Sequence, residues 1–316
     1  MDRLAVQVFK RNKRPSADEI SFLVKKSNLL VPAGTRKIIK EIYDCVENYP
    51  KCVVSLMRRG FLRTEQFCNK CYKPMFLSKN QEVYEWTCNV DRDTICSVCP
   101  LKKGSWFENT NLPFNKMFMF VPFYTKNVPF EEIRRILDIS EADVFKMRKV
   151  MFRLTDSIHS KHGKIGGKDK EVYVAVHSVS AMSNMYLRTY DVVAGREIGS
   201  KKCFIRVIPN ANDATVRKAV KDHLEAGTLT TLVNTGHEEQ RKYMDMPPMI
   251  VIDEMDLDCG PFKPDCFFEK LWESVPELHE INPAVLQQYF NEQVVRREQE
   301  YNYLARCVEE IQSYAN

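Results

Sequence analysis

The sequence predicts an α+β chain of several domains: a basic helical N-terminal region, a zinc ribbon, helices in helix-turn-helix order, then an α/β layer domain. Three observations predict it. Cys68 and Cys71 form a C-x2-C knuckle, and Cys88 with Cys96 or Cys99 offers a second half. Apolar residues recur at helical spacing before Gly163, whereas β-branched runs dominate after Gly167. Charge changes at the same point: 30 Lys/Arg face 18 Asp/Glu through Ile165, and 17 face 24 from Gly166 onward. The predicted domains are 1–63, 64–110, 111–162 and 163–316.

Residues 16–60 interleave apolar and basic positions, as in Ile38, Ile39, Ile42, Tyr43 and Val46, and predict short helices with basic faces. Extended stretches at 75–77 and 83–86 carry the cysteine knuckles. Leu112-Pro113 opens a helix through Phe118 and Phe120, and Val128-Pro129 opens another, with proline at the first turn. Its buried stripe is Ile133, Ile136 and Leu137. Ser140 is the expected N-cap of the next helix, with Asp143 making an imperfect capping box. That helix turns Val144, Met147, Val150, Met151 and Leu154 inward. Its other face carries Lys146, Arg148, Lys149 and Arg153, the expected DNA-contacting residues of a recognition helix.

Gly163–Gly167 reads as a linker. Strands are expected at 172–176, 186–193, 202–208, 228–233 and 249–252, and helices at 214–225, 267–274 and 283–312. The C-terminal helix has an apolar stripe suited to packing.

Two thiolate pairs at this separation suit a tetrahedral structural Zn²⁺ site. Plain core cysteines are the bland alternative. Met1 to Pro15 is charged and has no apolar run, so neither a signal peptide nor a membrane span is expected, and the 11 cysteines point to a reducing compartment rather than to disulfides. The run Lys10-Arg11-Asn12-Lys13-Arg14-Pro15 suggests nuclear import, with a cytoplasmic location as the alternative. The net charge of +5 conceals a basic front half that can neutralise phosphates and an acidic back half that cannot.

Several segments, in order, resemble the transposases of the Merlin superfamily and related bacterial insertion-sequence transposases. Met57-Arg58-Arg59-Gly60-Phe61-Leu62 resembles the segment before the family's zinc ribbon. Trp86-Thr87-Cys88 and Lys103-Gly104-Ser105-Trp106-Phe107 resemble the ribbon and the motif after it, which favours Cys96 as the fourth ligand. Lys164-Ile165-Gly166-Gly167 resembles the start of the catalytic domain. Tyr190-Asp191-Val192-Val193-Ala194-Gly195-Arg196-Glu197, Lys202 to Asn210 and Leu224-Glu225-Ala226-Gly227-Thr228 continue in register. The resemblance covers roughly 49–297. It implies a ribonuclease-H-like (DDE-type) domain in which three acids hold two Mg²⁺ ions for strand cleavage and transfer.

Carried over residue by residue, that site is degenerate. His177 stands at the first expected acid and Asn234 at the second, and only Glu269 keeps a carboxylate. Histidine favours softer metals and asparagine is a neutral, weak ligand, so Mg²⁺ is expected only if the site is intact. Asp191 and the run Asp253-Glu254-Met255-Asp256 are conceivable replacements, the run being read as a surface insertion. The resemblance therefore implies a domesticated, transposase-derived protein that binds double-stranded DNA without cutting it. Its acidic C-terminal domain would serve protein partners or homo-oligomerisation. The alternatives are an active transposase or nuclease with relocated acids, and a zinc-stabilised interaction scaffold.

Overall fold

The computed structural model describes residues 49–80, 83–91, 94–183, 186–234, 249–253, 282–299 and 302–315. The import run at 10–15, the helices expected within 16–48, and the stretch 267–274 with Glu269 lie outside the described residues. The chain is mixed α and β, and its contacts divide it into two units, Met1–Leu154 with Tyr301–Asn316, and Thr155–Glu300.

The first unit contains α1 (Tyr49–Arg58), a three-stranded antiparallel sheet of β1 (Phe76–Asn80), β2 (Val83–Asp91) and β3 (Thr94–Pro100), then α2 (Phe114–Thr125) and α3 (Phe130–Leu137). It also holds most of α4 (Glu141–Ser160), within which the division falls. Helix α2 is apolar around most of its circumference and buries eight of its twelve residues. Its Phe118 ring meets Phe61 at 4.9 Å and Phe107 at 5.1 Å, edge-on or tilted as aromatic quadrupoles prefer.

Asp138 ends α3 in the left-handed region at φ 50°. Ser140 then caps α4: its Oγ accepts from Asp143 N at 3.1 Å, and its hydroxyl donates to Asp143 Oδ2 at 2.7 Å. The expected inward residues of α4 are all buried.

The stretch 283–312 divides into two helices, α6 (Pro283–Gln299) and α7 (Tyr303–Ala315). They belong to different units. Helix α7 joins the first through Trp106 Nε1, which donates to Glu310 O at 3.3 Å, and through Gln312 Nε2, which donates to Arg59 O at 2.9 Å.

The second unit is a five-stranded sheet with helices on both faces. Its strands are β4 (Glu171–Ser183), β5 (Tyr186–Glu197), β6 (Cys203–Ile208), β7 (Leu229–Asn234) and β8 (Met249–Asp253), in the order β6-β5-β4-β7-β8. The first three form an antiparallel meander, while β4, β7 and β8 run parallel. Parallel pairing needs a crossover, and α5 (Asp213–His223) supplies it between β6 and β7. Side chains alternate across the sheet. Val172, Val174, Val176 and Val193 meet Val216 and Val220 of α5 on one face. Val179, Val192 and Ala194 meet Leu286, Phe290 and Val294 of α6 on the other.

Two expectations are corrected. Gly163–Gly167 is no free linker: Ile165 N donates to His223 O at 2.9 Å, Glu225 N to Ile165 O at 2.9 Å, and Gly167 N to Thr228 Oγ1 at 2.8 Å. Backbone polar groups left unpaired would be costly, so this segment ties itself to the turn between α5 and β7. Asp253 is not on a surface insertion either. It ends strand β8, in register with Asn234. Among the described residues, no helix is long and apolar enough to cross a membrane.

Candidate metal centre and nucleic-acid interface

The sulfur atoms of Cys68, Cys71, Cys88 and Cys96 all lie within 4.8 Å of one another. Cys68 Sγ is 3.7 Å from Cys96 Sγ, and Cys71 Sγ is 3.4 Å from Cys88 Sγ. A tetrahedral ion with metal–sulfur bonds of about 2.3 Å has S···S edges of about 3.8 Å. The four thiols can therefore hold a metal ion of zinc's size with little rearrangement.

Local structure explains the convergence. The turn Cys68–Tyr72 closes through Tyr72 N to Cys68 O at 2.9 Å, and Lys70 N donates to Cys68 Sγ at 3.4 Å. The other pair comes from β2 and β3. Cys88 pairs with Ser97, but the next pairing is Asn89 with Ile95, so Cys96 is the extra residue of a β-bulge. A bulge re-aims side chains, and here both Cys96 and Ser97 reach Cys68. Cys99 pairs with Trp86, two pairs along the ladder from Cys88 and Ser97, and its sulfur lies 3.7 Å from Pro100 O. It is not in the cluster.

The thiols differ electrostatically. The Ser97 hydroxyl, 3.0 Å from Cys68 Sγ, is the main cause that lowers the Cys68 pKa to about 5. Desolvation, then the neighbouring Cys71 and Cys68 thiols, raises Cys88 to about 12. Desolvation also raises Cys96 and Cys99. Cys68 ionises readily while Cys88 and Cys96 resist, chiefly because burial disfavours a second and third anion and then because neighbouring thiols oppose it; a divalent cation would offset both.

Lys146, Lys149 and Arg153 are exposed on α4. Arg153 Nη2 donates weakly to Trp106 O at 3.4 Å. Arg148 differs: its guanidinium lies 5.1 Å from the ring centroids of both Phe130 and Phe152. It is a half-buried cation–π brace between α3 and α4. The sequence signal was present in Phe130 and Phe152, the latter four residues on and so on the same helix face.

In the second unit His177 is half-buried on β4, opposite Val192. The last β4–β7 pair is Val174–Leu232; continued two residues, that register sets Asn234, at the carboxyl end of β7, level with Val176 and not with His177. Asp191 pairs with Ser178, whose hydroxyl donates to Asp191 Oδ1 at 2.8 Å. Since faces alternate, Asp191 and His177 lie on opposite faces. Glu269 lies outside the described residues.

Comparison with protein-family models, with curated proteins and with solved structures gave no match.

Proposed function

We propose that this chain is a transposase-derived, zinc-containing protein that binds double-stranded DNA and has lost strand cleavage and transfer. Zn²⁺ held by Cys68, Cys71, Cys88 and Cys96 is a structural ion in this reading: four thiolates leave no open position for water or substrate. The second unit is read as a degenerate ribonuclease-H-like domain.

The observation that carries the reading is the pairing of β4 with β7. Two-metal cleavage needs its first and second acids at the carboxyl ends of neighbouring parallel strands, so that both reach the same ions. β4 and β7 are such neighbours. The expected acid positions are His177, midway along β4, and Asn234 at the end of β7; neither is a carboxylate, and the β4–β7 register sets Asn234 level with Val176 rather than with His177. Hard Mg²⁺ prefers charged oxygen donors, so such a pair is a poor Mg²⁺ site.

The exposed cations of α4 support duplex binding by phosphate contact. Lys146, Lys149 and Arg153 do this work in the reading, while Arg148 holds the helix in place.

The test is a salt titration of the full chain on a random duplex, with Mg²⁺-dependent nicking assayed in the same samples. Binding that weakens as salt rises, and that the combined Lys146→Glu and Lys149→Glu variant loses, is expected, without nicking. Nicking abolished by Glu269→Ala would overturn the degenerate assignment. No salt-sensitive duplex binding would leave an interaction scaffold instead.

A further inference from the structure

The three-stranded sheet presents an apolar face to solvent. Phe67 bridges Pro74. Alternation then puts Phe76, two residues beyond Pro74, on the same face, diagonal to Phe67. Phe76 pairs with Thr87, and Thr87 with Val98, continuing the row across all three strands. Phe67 is 55% exposed, Phe76 65% and Val98 47%. A metal-stapled sheet of this size has interior positions for its apolar residues, and Trp86 and Cys99 occupy them.

Tyr72 supplies a second, independent observation. It follows the knuckle with φ 59°, a conformation glycine adopts freely and a bulky side chain adopts against steric resistance. Its ring is 81% exposed and contributes nothing to the core. A strained residue this exposed is suited to an outward contact.

Charge selects the partner. Between 63 and 79 lie Arg63, Lys70, Lys73 and Lys79 against one acid, Glu65, and all five are exposed. Protein-docking faces are depleted in lysine, whereas flat aromatic surfaces set among lysines suit unpaired bases on a phosphate backbone. The row is also poor in hydroxyl readers: Ser78 and Thr87 bond each other at 2.6 Å. Such a surface favours thymine methyls and deoxyribose over a 2′-hydroxyl.

We propose that this face, together with Tyr72 on the knuckle turn between Phe67 and Pro74, is a stacking platform for single-stranded DNA, with Tyr72, Phe67 and Phe76 as the base-stacking rings. It is separate from the basic row of α4, and either can fail without the other.

The experiment is fluorescence anisotropy of the full chain with labelled dT20, rU20 and a 20-base-pair duplex, beside thermal melting. Tyr72→Gly relieves the backbone, so it should melt no lower than wild type yet bind dT20 roughly 5- to 100-fold more weakly. Phe76→Thr, which keeps a strand-forming residue, should weaken dT20 similarly. Lys146→Glu with Lys149→Glu should change dT20 binding less than about twofold, although it lowers duplex binding. Wild-type affinity for dT20 in both ring variants overturns the proposal, as does failure of the wild type to bind dT20. Equal affinity for rU20 overturns the assignment to DNA. A dimer in sedimentation velocity that Phe76→Thr dissolves would overturn it in favour of a face that pairs two copies of the chain.

Discussion

Ser97 Oγ lies 3.0 Å from Cys68 Sγ, a clustered thiol whose pKa is pushed down. A hydroxyl donating to sulfur stabilises the thiolate, so Ser97 favours the anionic form in which Cys68 would hold a metal ion. Removing it leaves all four sulfurs but makes Cys68 more basic. Ser97→Ala should keep zinc at neutral pH and weaken its binding about 10-fold, the scale of groups that orient metal ligands. Competition with a chromophoric chelator reads this directly. An unchanged constant would mean that the hydroxyl does not tune the site.

The cysteine pair on β3 gives a sharper contrast. Cys96 is in the cluster and Cys99 is not, although both are cysteines of one strand. Cys96→Ser should lose stoichiometric zinc and lower the melting temperature of the first unit. Cys99→Ser should retain zinc and cost only about 1–2 kcal/mol for a buried polar swap. Metal analysis of the two purified variants distinguishes them; zinc lost from Cys99→Ser alone would reverse the assignment.

Arg148 and Lys149 are neighbours on α4 with different surroundings. The Arg148 guanidinium sits over Phe130 and Phe152, while Lys149 beside it is exposed. Arg148→Ala should cost roughly 1–2 kcal/mol in denaturant unfolding, from lost cation–π contact and stem packing. Lys149→Ala should be near neutral in the same measurement. If both are neutral, the brace contributes nothing to stability.

The sequence revealed periodicity, and less of what depends on pairing. Val172-Tyr173-Val174-Ala175-Val176 marks β4 because β-branched runs suit a sheet covered on both faces. The inward stripe of α4 follows from spacing alone, and so does the Ser140 cap. The choice between Cys96 and Cys99 could not be made from spacing, because it rests on a bulge between Cys88 and Asn89 that only strand pairing creates. The place of α7 was hidden for a similar reason. Its bond from Trp106 to Glu310 spans 204 residues. Gly163 to Gly167 has a linker's composition, yet Ile165 is buried and its backbone is paired. Asp253 looked like part of an acidic loop because its run continues with Glu254 and Asp256, while Met249–Asp253 is the short apolar edge strand before it.

His159 gives the second unit a pH dependence of known sign. Burial, reinforced by the nearby His162, lowers its pKa from the ordinary value of 6.5. The unfolded chain therefore takes up a proton at a higher pH than the folded one. Its contribution is complete above pH 6.5 and is lost as pH falls from there through the folded value. Wild type should lose more melting temperature between about pH 7.5 and about pH 5.5 than His159→Gln does. Parallel pH profiles for the two proteins would remove His159 as a cause.

Gly195 tests how closely the sheet is packed. It pairs with Phe204 on the neighbouring strand, and a Cβ built at Gly195 would stand 2.1 Å from Phe204 Cε1. No real contact is so short, so either the ring or the strand must move. Phe204 is itself held, buried in the cluster under α5 and stacked on His223 at 4.7 Å between ring centroids. Gly195→Ala should therefore cost about 1–3 kcal/mol or more, the range for overpacking a filled core. Gly199 makes the contrast: a methyl there would meet open space, but its φ of 75° is left-handed. Gly199→Ala should cost less, since strain alone operates. If urea midpoints fall equally for the two variants, the ring is free to swing aside and Gly195 is not required by close approach. If Gly195→Ala falls further, and Phe204→Leu in the same background recovers part of the loss, then the glycine is there to admit the ring.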